Sequence, residues 1–124
     1  MNFEENSQLV SIPGYTFAGC TSLKTVVFED NSQLDTIANQ AFYECTNLTT
    51  IDFGDNSQLR YIGVEAFYNC YNLSTIEFPS TITRIGNYAF GTSDLTLINI
   101  PSSVTSIGDD AFSYCASLTS ITIP

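Results

Sequence analysis

The stretch Leu48-Thr-Thr-Ile-Asp-Phe53 decides the fold, because it returns as Leu73-Ser-Thr-Ile-Glu-Phe78 and, in altered form, along the whole chain. Each copy follows a phenylalanine, which Ala precedes in every unit but the first. These phenylalanines, 25, 25, 23 and 22 residues apart, are Phe17, Phe42, Phe67, Phe90 and Phe112. The equivalent leucines are Leu23, Leu48, Leu73, Leu95 and Leu118. Units of this size are too small to bury their own apolar faces, so the period predicts a solenoid of stacked repeats.

The repeat predicts one solenoid domain, residues 1–124, of about five units. Residues 1–8 match the end of a preceding unit, and the units follow at 9–28, 29–53, 54–78, 79–100 and 101–124. The last two units open with Pro79 and Pro101, and their turns are two residues shorter than those that contain Asn31 and Asn56. Proline directly after a strand ends it, and Asn and Ser favour a bend.

Each unit contains an alternating apolar pattern, which predicts a short strand with one buried face. Ile51 and Phe53 are expected to point inward, and Thr50 and Asp52 outward. The remaining inward pairs are Val26/Phe28, Ile76/Phe78, Ile98/Ile100 and Ile121/Ile123. The strands of successive units are expected to form a parallel sheet.

The other half of each unit has helical spacing. Ile37, Ala41, Phe42 and Cys45 fall at i, i+4, i+5 and i+8, on one face of about two helical turns. The pattern predicts a short helical or 3₁₀ segment that is stable only when stacked. A glycine follows the isoleucine in three units and is expected to hold a tight bend before this segment; these glycines are Gly63, Gly86 and Gly108.

The fuller phrase, Ile-Gly-x-x-Ala-Phe-x-x-Cys-x-x-Leu-x-x-Ile-x-[Phe/Ile]-Pro, resembles the BspA-like subclass of leucine-rich repeats over residues 3–124. The resemblance implies an α/β fold: a right-handed leucine-rich-repeat solenoid, a segment of a horseshoe. Its short-stranded parallel sheet would lie on the concave face, with short helical or 3₁₀ segments on the convex face. A partial asparagine ladder, Asn6, Asn31 and Asn56, is also implied. The family is similar to surface proteins that adhere to host matrix or cells, which implies an extracellular or cell-surface parent protein.

The charge balance excludes several partners. Three Lys and Arg against 13 Asp and Glu give a net charge of -10, which argues against nucleic acid and anionic membranes. No apolar run approaches the roughly 18 residues of a membrane span, and no signal-peptide pattern opens the chain. These features predict an acidic domain without membrane insertion.

No catalytic constellation is present. Histidine is absent, which excludes Ser/His/Asp and Cys/His arrangements. The carboxylates of Asp52 and Glu77 are interpreted as surface charge on an open face, although a pair of this kind serves acid–base chemistry elsewhere. The sequence therefore predicts no enzyme and no cofactor.

The four cysteines, Cys20, Cys45, Cys70 and Cys115, occupy one column, and Thr92 or Ser93 takes this place in the fourth unit. Buried core thiols are the favoured interpretation, with disulfides and a metal site as alternatives. A second column holds Glu5, Asp30 and Asp55 at the turn. It is interpreted as a solvated turn, with a Ca²⁺ site as the alternative.

Two further sets of residues leave their roles open. The tyrosines near the convex segments are expected to pack half-buried beside the core or to serve an interface. They are Tyr43, Tyr68, Tyr71 and Tyr114. Asn47-Leu-Thr49 and Asn72-Leu-Ser74 match the N-glycosylation pattern, which we interpret as a coincidence of the repeat.

The candidate partner surface consists of the outward strand positions. Its two columns are Thr25, Thr50, Thr75, Leu97 and Ser120, and Val27, Asp52, Glu77, Asn99 and Thr122. The chain is therefore predicted to be a protein-interaction module of an adhesin-like protein that binds host or matrix proteins. The alternatives are a structural spacer or designed repeat scaffold without a ligand and, less favoured for lack of an aromatic in these columns, glycan binding. A weak homodimer through the uncapped C-terminal repeat is also predicted.

Overall fold

The computed structural model describes residues 1–4 and 7–124 and shows a parallel β-solenoid. The described residues form strands β1 (Asn2–Phe3), β2 (Ser11–Ile12), β3 (Thr25–Phe28), β4 (Thr36–Ile37), β5 (Thr50–Asp52), β6 (Tyr61–Ile62), β7 (Arg84–Ile85), β8 (Leu97–Asn99), β9 (Ser106–Ile107) and β10 (Ser120–Thr122). Successive turns of the solenoid place equivalent strands side by side. All of the pairings are parallel, as the repeat predicts.

The predicted parallel sheet is present in two parts. One part has the strand order β1-β3-β5 and the other pairs β10 with β8. The intervening residues 75–78 have the predicted inward and outward alternation but pair with neither part. We call the outward surface of both parts, together with residues 75–77, the front face.

A second sheet, with the order β2-β4-β6-β7-β9, runs without interruption through the five units. Each of its strands is two residues long, and its registers bring Ile12, Ile37, Ile62, Ile85 and Ile107 into one column. The spacing of the apolar residues predicted a helical segment at Ile37 instead. Two residues are too few to show a period-2 pattern, so the second sheet had no visible signal.

The predicted helical or 3₁₀ segments are wrong, since the described residues contain no helix. The chain forms consecutive turns there, with left-handed backbone at Gln40 (φ 58°) and Glu44 (φ 56°), a conformation that a right-handed helix excludes. Successive backbone N–H groups donate alternately to a carbonyl of their own unit and to a carbonyl of the next unit. Tyr43 N–H donates within its unit to Gln40 O at 3.2 Å, whereas Phe42 N–H donates to Ala66 O of the next unit at 2.8 Å. Bonds between units thus replace those of a helix.

The core is a set of stacked columns inside the solenoid. The described phenylalanines Phe42, Phe67 and Phe90 are fully buried, and Ala41, Ala66 and Ala89 beside them are likewise buried. The rings of Phe17, Phe42, Phe67, Phe90 and Phe112 stack in sequence, so this column forms the spine of the core.

The glycine column has a different role from the predicted bend. Gly63, Gly86 and Gly108 do not have left-handed backbone angles. A Cβ atom on Gly86 would lie 2.6 Å from the carbonyl carbon of Gly63, and one on Gly108 would lie 2.6 Å from that of Gly86. These glycines are therefore needed because the backbones of neighbouring units approach closely.

Candidate functional site

The front face presents the ten predicted partner-binding positions on its outer side. Nine of these ten side chains are exposed, and Val27 is partly buried. The inward side chains beside them on the same strands are buried, with Ile51 and Ile76 each 7% exposed. This alternation follows from strands with one face against the core.

Strand register brings these positions together in two groups. Thr25 lies opposite Thr50 and Val27 opposite Asp52, whereas Leu97 lies opposite Ser120 and Asn99 opposite Thr122. The two remaining positions, Thr75 and Glu77, belong to no strand pair. The columns are therefore continuous within each part of the front face and interrupted between the parts.

A groove of about 470 Å³ marks this interruption. It lies between residues 50–55 on one side and residues 75–79 on the other, and its acidic lining residues are Asp52, Asp55 and Glu77. None of its lining residues is a Lys or Arg. The Asp52 carboxylate also accepts a hydrogen bond from the Gly54 N–H at 2.9 Å, which ties it to the turn. The site is an open, acidic groove with an apolar floor.

The turn after the front strands carries the predicted polar columns. The amide of Asn56 donates to Asn31 Oδ1 at 3.1 Å, and the Asp30 carboxylate accepts from the Asp55 N–H at 2.8 Å. The predicted members Glu5 and Asn6 lie outside the described residues. Within residues 1–4 and 7–124, no group of three or more Cys, Asp or Glu side chains has the arrangement of a metal site. The described part of the column is a hydrogen-bonded turn.

The cysteine column consists of free thiols, all four of which are described. Cys70 Sγ donates to Phe42 O of the preceding unit at 3.3 Å, and Cys45 Sγ donates to Phe17 O at 3.1 Å. Burial raises the pKa of the Cys45 thiol to about 11 and also raises the pKa of Cys70. Cys20 and Cys115 are only partly buried, so the expectation of buried thiols holds for the two central cysteines.

Ser93 takes the cysteine position in the fourth unit. It is 3% exposed, and its hydroxyl lies 3.2 Å from the Cys115 thiol. Thr92, the other residue considered for this position, makes different contacts, because its hydroxyl donates to Asn69 Oδ1 at 2.6 Å. A serine therefore substitutes for cysteine in this column without leaving its hydroxyl unbonded.

Asn47 and Asn72, which open the two N-glycosylation patterns, act as links between units. Their amide nitrogens donate to Thr21 O at 2.6 Å and Thr46 O at 2.7 Å. This role was not predicted, although the recurrence of Asn at one position of two units indicates it. The amide nitrogen that would carry a glycan is engaged in the solenoid.

The tyrosines divide between packing and exposure. Tyr43 and Tyr68 are partly buried and stack with ring centroids 5.8 Å apart, whereas Tyr71 is 52% and Tyr114 81% exposed. Burial, followed by the charges of Glu44 and Glu65, raises the pKa of Tyr43. Tyr43 and Tyr68 therefore fit the interpretation of half-buried packing, whereas Tyr71 and Tyr114 are accessible to a partner.

The outer side of the second sheet carries contacts that the sequence analysis did not anticipate. Arg84 lies over the Tyr61 ring at 5.1 Å, and Arg60 pairs with Asp35 at 2.6 Å. Hydrogen bonds from Arg60 and then Thr36 lower the pKa of Asp35. Two of the three basic residues are thus held on this side, which leaves the front face acidic.

Among the described residues, no helix is long and apolar enough to cross a lipid bilayer.

Three crystal structures show the same solenoid. A leucine-rich repeat protein from Bacteroides ovatus matches with a TM-score of 0.86 and 32% identity, over 99% of this chain and 33% of that protein. The T. pallidum leucine-rich repeat protein matches with a TM-score of 0.84 and 32% identity, over 98% of this chain and 55% of that protein. A leucine-rich cell surface protein from Faecalibacterium prausnitzii matches with a TM-score of 0.63 and 32% identity, over 91% of this chain and 36% of that protein.

The chain thus spans between a third and about half the length of these proteins. A comparison with curated proteins finds no significant match. The profile of the BspA type leucine rich repeat region matches residues 1–119 in six copies. Together with the stacked units and the shared solenoid, this match places the chain in the BspA-type leucine-rich-repeat family.

Proposed function

We propose that this chain is a non-enzymatic protein-interaction module whose front face binds a host or matrix protein. The observation that carries the proposal is the exposure of nine of the ten outward positions above inward residues such as Val26, Ile51, Ile76 and Ile98, which are at most 7% exposed. Such a surface tolerates varied side chains without loss of the core. Repeat arrays use extended surfaces of this kind for binding.

We also propose a location for the parent protein. The Faecalibacterium prausnitzii neighbour is described as a cell surface protein, and the family profile covers nearly all of this chain. We therefore assign the parent protein to the cell surface or the extracellular space, with an adhesin-like role. The chain's net charge of -10 favours a partner with a basic patch.

The experiment measures binding to a panel of purified extracellular-matrix proteins by biolayer interferometry. The test variant reverses two front-face charges, Asp52→Lys and Glu77→Lys. The control variant makes the same charge change on the exposed turn segments, Glu44→Lys and Asp109→Lys. We expect at least tenfold weaker binding for the test variant, with its melting temperature within a few degrees of the parent. Equal losses in both variants, or loss only on mutating Tyr43 and Tyr68, would move the site off the front face.

A structural spacer is the second candidate function. The front-face side chains are mainly short, and Leu97, 49% exposed, is the one large apolar residue among its exposed positions. Interfaces generally rely on a few large anchors, so this composition suits an array that only holds neighbouring parts of a longer protein apart. Absence of binding to every protein of the panel would favour the spacer.

We also propose weak self-association through the last unit. Ile121 is 45% and Ile123 73% exposed, although the equivalent residues of the fourth unit, Ile98 and Ile100, are buried. Among the described residues, β10 pairs with β8 alone, which leaves its other strand edge without a partner. A second copy of the chain would cover both features.

A further inference from the structure

The interruption of the front face coincides with the first of the shorter turns, which opens with Pro79. In the longer turn of the preceding unit, the Gly54 N–H donates to the Asp52 carboxylate at 2.9 Å. Pro79 occupies the equivalent position and has no N–H to donate. The turn that follows is also two residues shorter, so the chain leaves residues 75–78 on a different path from that of the earlier units.

The packing of the phenylalanine rings changes at the same place in the solenoid. Phe28 and Phe53 stack with centroids 6.2 Å apart and planes 8° from parallel. The equivalent Phe78 instead packs edge-on against Phe90, at 5.7 Å and 75°. The interruption therefore involves the side-chain packing beneath residues 75–78 as well as the backbone.

We propose that the groove between Thr50–Asp52 and residues 75–79 binds an extended segment of a partner polypeptide that carries a Lys or Arg. This inference rests on the proposed function and narrows its site and its ligand. The partner's backbone would pair with the free edge of β5, and its basic side chain would lie between Asp52 and Glu77.

The backbone supports this choice. β5 pairs with β3 on one side only, so the described chain leaves its other edge without a strand partner at the wall of the groove. Free edges recruit extended segments by main-chain hydrogen bonding, with alternate side chains providing specificity. The three residues of β5 span roughly 10 Å, enough to pair with a segment of three to four residues.

The side chains select a basic segment. The floor includes Ile51 and Ile76, each 7% exposed, which would contact the inward side chains of the ligand. The rim carries Asp52, Asp55 and Glu77 without a basic residue to neutralise them. Carboxylates in this setting attract Lys or Arg and reject acidic segments.

The probe is a blocked peptide of alternating sequence, acetyl-Thr-Val-Lys-Val-Lys-Val-Thr-amide. Two matched peptides separate its contributions: one has Glu in place of both Lys residues, and one is N-methylated on the residues of one strand edge. Binding is followed by the amide chemical shifts of the ¹⁵N-labelled chain. We expect shifts at Thr50, Asp52 and Glu77, and at least tenfold weaker binding for either matched peptide.

The protein variants are Asp52→Lys and, as a control with the same charge change outside the groove, Asp109→Lys. The first should weaken binding of the Lys peptide at least tenfold and the second less than threefold. Equal effects of both variants would reveal attraction by net charge alone and would overturn the proposal.

The shift map also separates this inference from the proposed function. Shifts at Thr25, Leu97 and Ser120, with none at the groove residues, would keep the front face as the binding surface but would overturn the groove as the binding site. Shifts confined to the turn segments around Tyr71 or Tyr114 would overturn both. Concentration-dependent shifts of Thr50 and Asp52 without peptide would assign the groove to a second copy of the chain and overturn the proposal.

Discussion

The ring of Phe67 stacks on that of Phe42 with centroids 5.1 Å apart and planes within 3° of parallel, and both side chains are fully buried. The two residues are 25 positions apart in the chain and occupy the same place in successive units. Each ring therefore provides the packing surface for the next unit. In an array whose units contact only their neighbours, a defect in the middle separates the two halves.

Phe67→Ala should be among the most destabilising single changes in the chain. Its ring lies between Phe42 and Phe90, the latter 5.2 Å away, and its loss leaves a cavity in a closed column. We expect a loss of about 3–5 kcal/mol in the free energy of unfolding, measured by urea titration. Tyr71→Ala, at a side chain 52% exposed, is the control and should cost less than about 1 kcal/mol. Similar midpoints for both variants would mean that the ring column does not carry the core.

Gly86→Ala tests the close approach of the unit backbones. The new Cβ would lie 2.6 Å from the Val64 nitrogen, an atom that cannot move without displacing its unit. We expect a loss of about 1–3 kcal/mol in the free energy of unfolding, again by urea titration.

Gly91→Ala is the matched control for that change. Its Cβ would lie 2.7 Å from the ring of Tyr68, which is part of a partly buried side chain and not of the backbone, so it moves without displacing a unit. The smaller effect should therefore belong to Gly91→Ala. The reverse order would place the tight contact in the tyrosine stack instead.

The central thiols should make the folded state less stable at alkaline pH. The pKa of Cys45 is raised to about 11, whereas an unfolded cysteine has a pKa of about 8.5. Between these values the unfolded chain releases a proton that the folded chain retains, so stability falls as the pH rises and is unaffected below the lower value. Cys45→Ser, which copies Ser93, should give a shallower decline from pH 8 to 11 in the free energy of unfolding. Parallel curves for variant and parent would contradict the assignment.

The repeat period predicted the solenoid, its parallel strands and the inward residues such as Ile51 and Phe67, because each depends on spacing within one unit. The turn segments were predicted incorrectly. Ala41, Phe42 and Cys45 have helical spacing, yet the N–H groups of Gln40, Phe42 and Glu44 donate to carbonyls of the next unit. A one-dimensional pattern does not reveal bonds between units. The left-handed residues of these turns are Gln40 and Glu44, which carry no glycine signal.

The candidate site was predicted as two uniform columns, and nine of its ten outward positions are exposed, Val27 being partly buried. The groove between Asp52 and Glu77 was not predicted. Its signal, the change from Gly54 to Pro79 after the strand, was visible as a shorter turn. That this change accompanies a loss of strand pairing is visible only in the three-dimensional arrangement.

The exposed end of the last unit should make the chain self-associate weakly in solution. Ile123 is 73% exposed beside the free edge of β10, and the net charge of -10 opposes contact between copies. We therefore expect a mass between monomer and dimer by light scattering, rising with protein concentration and with salt, since salt screens the repulsion. Ile123→Asp should return the mass to that of a monomer. Thr122→Asp adds the same charge on the opposite side of the strand and should have the smaller effect, because it leaves the apolar contact intact. A monomeric mass for the parent chain at every concentration and salt level would refute association through this end.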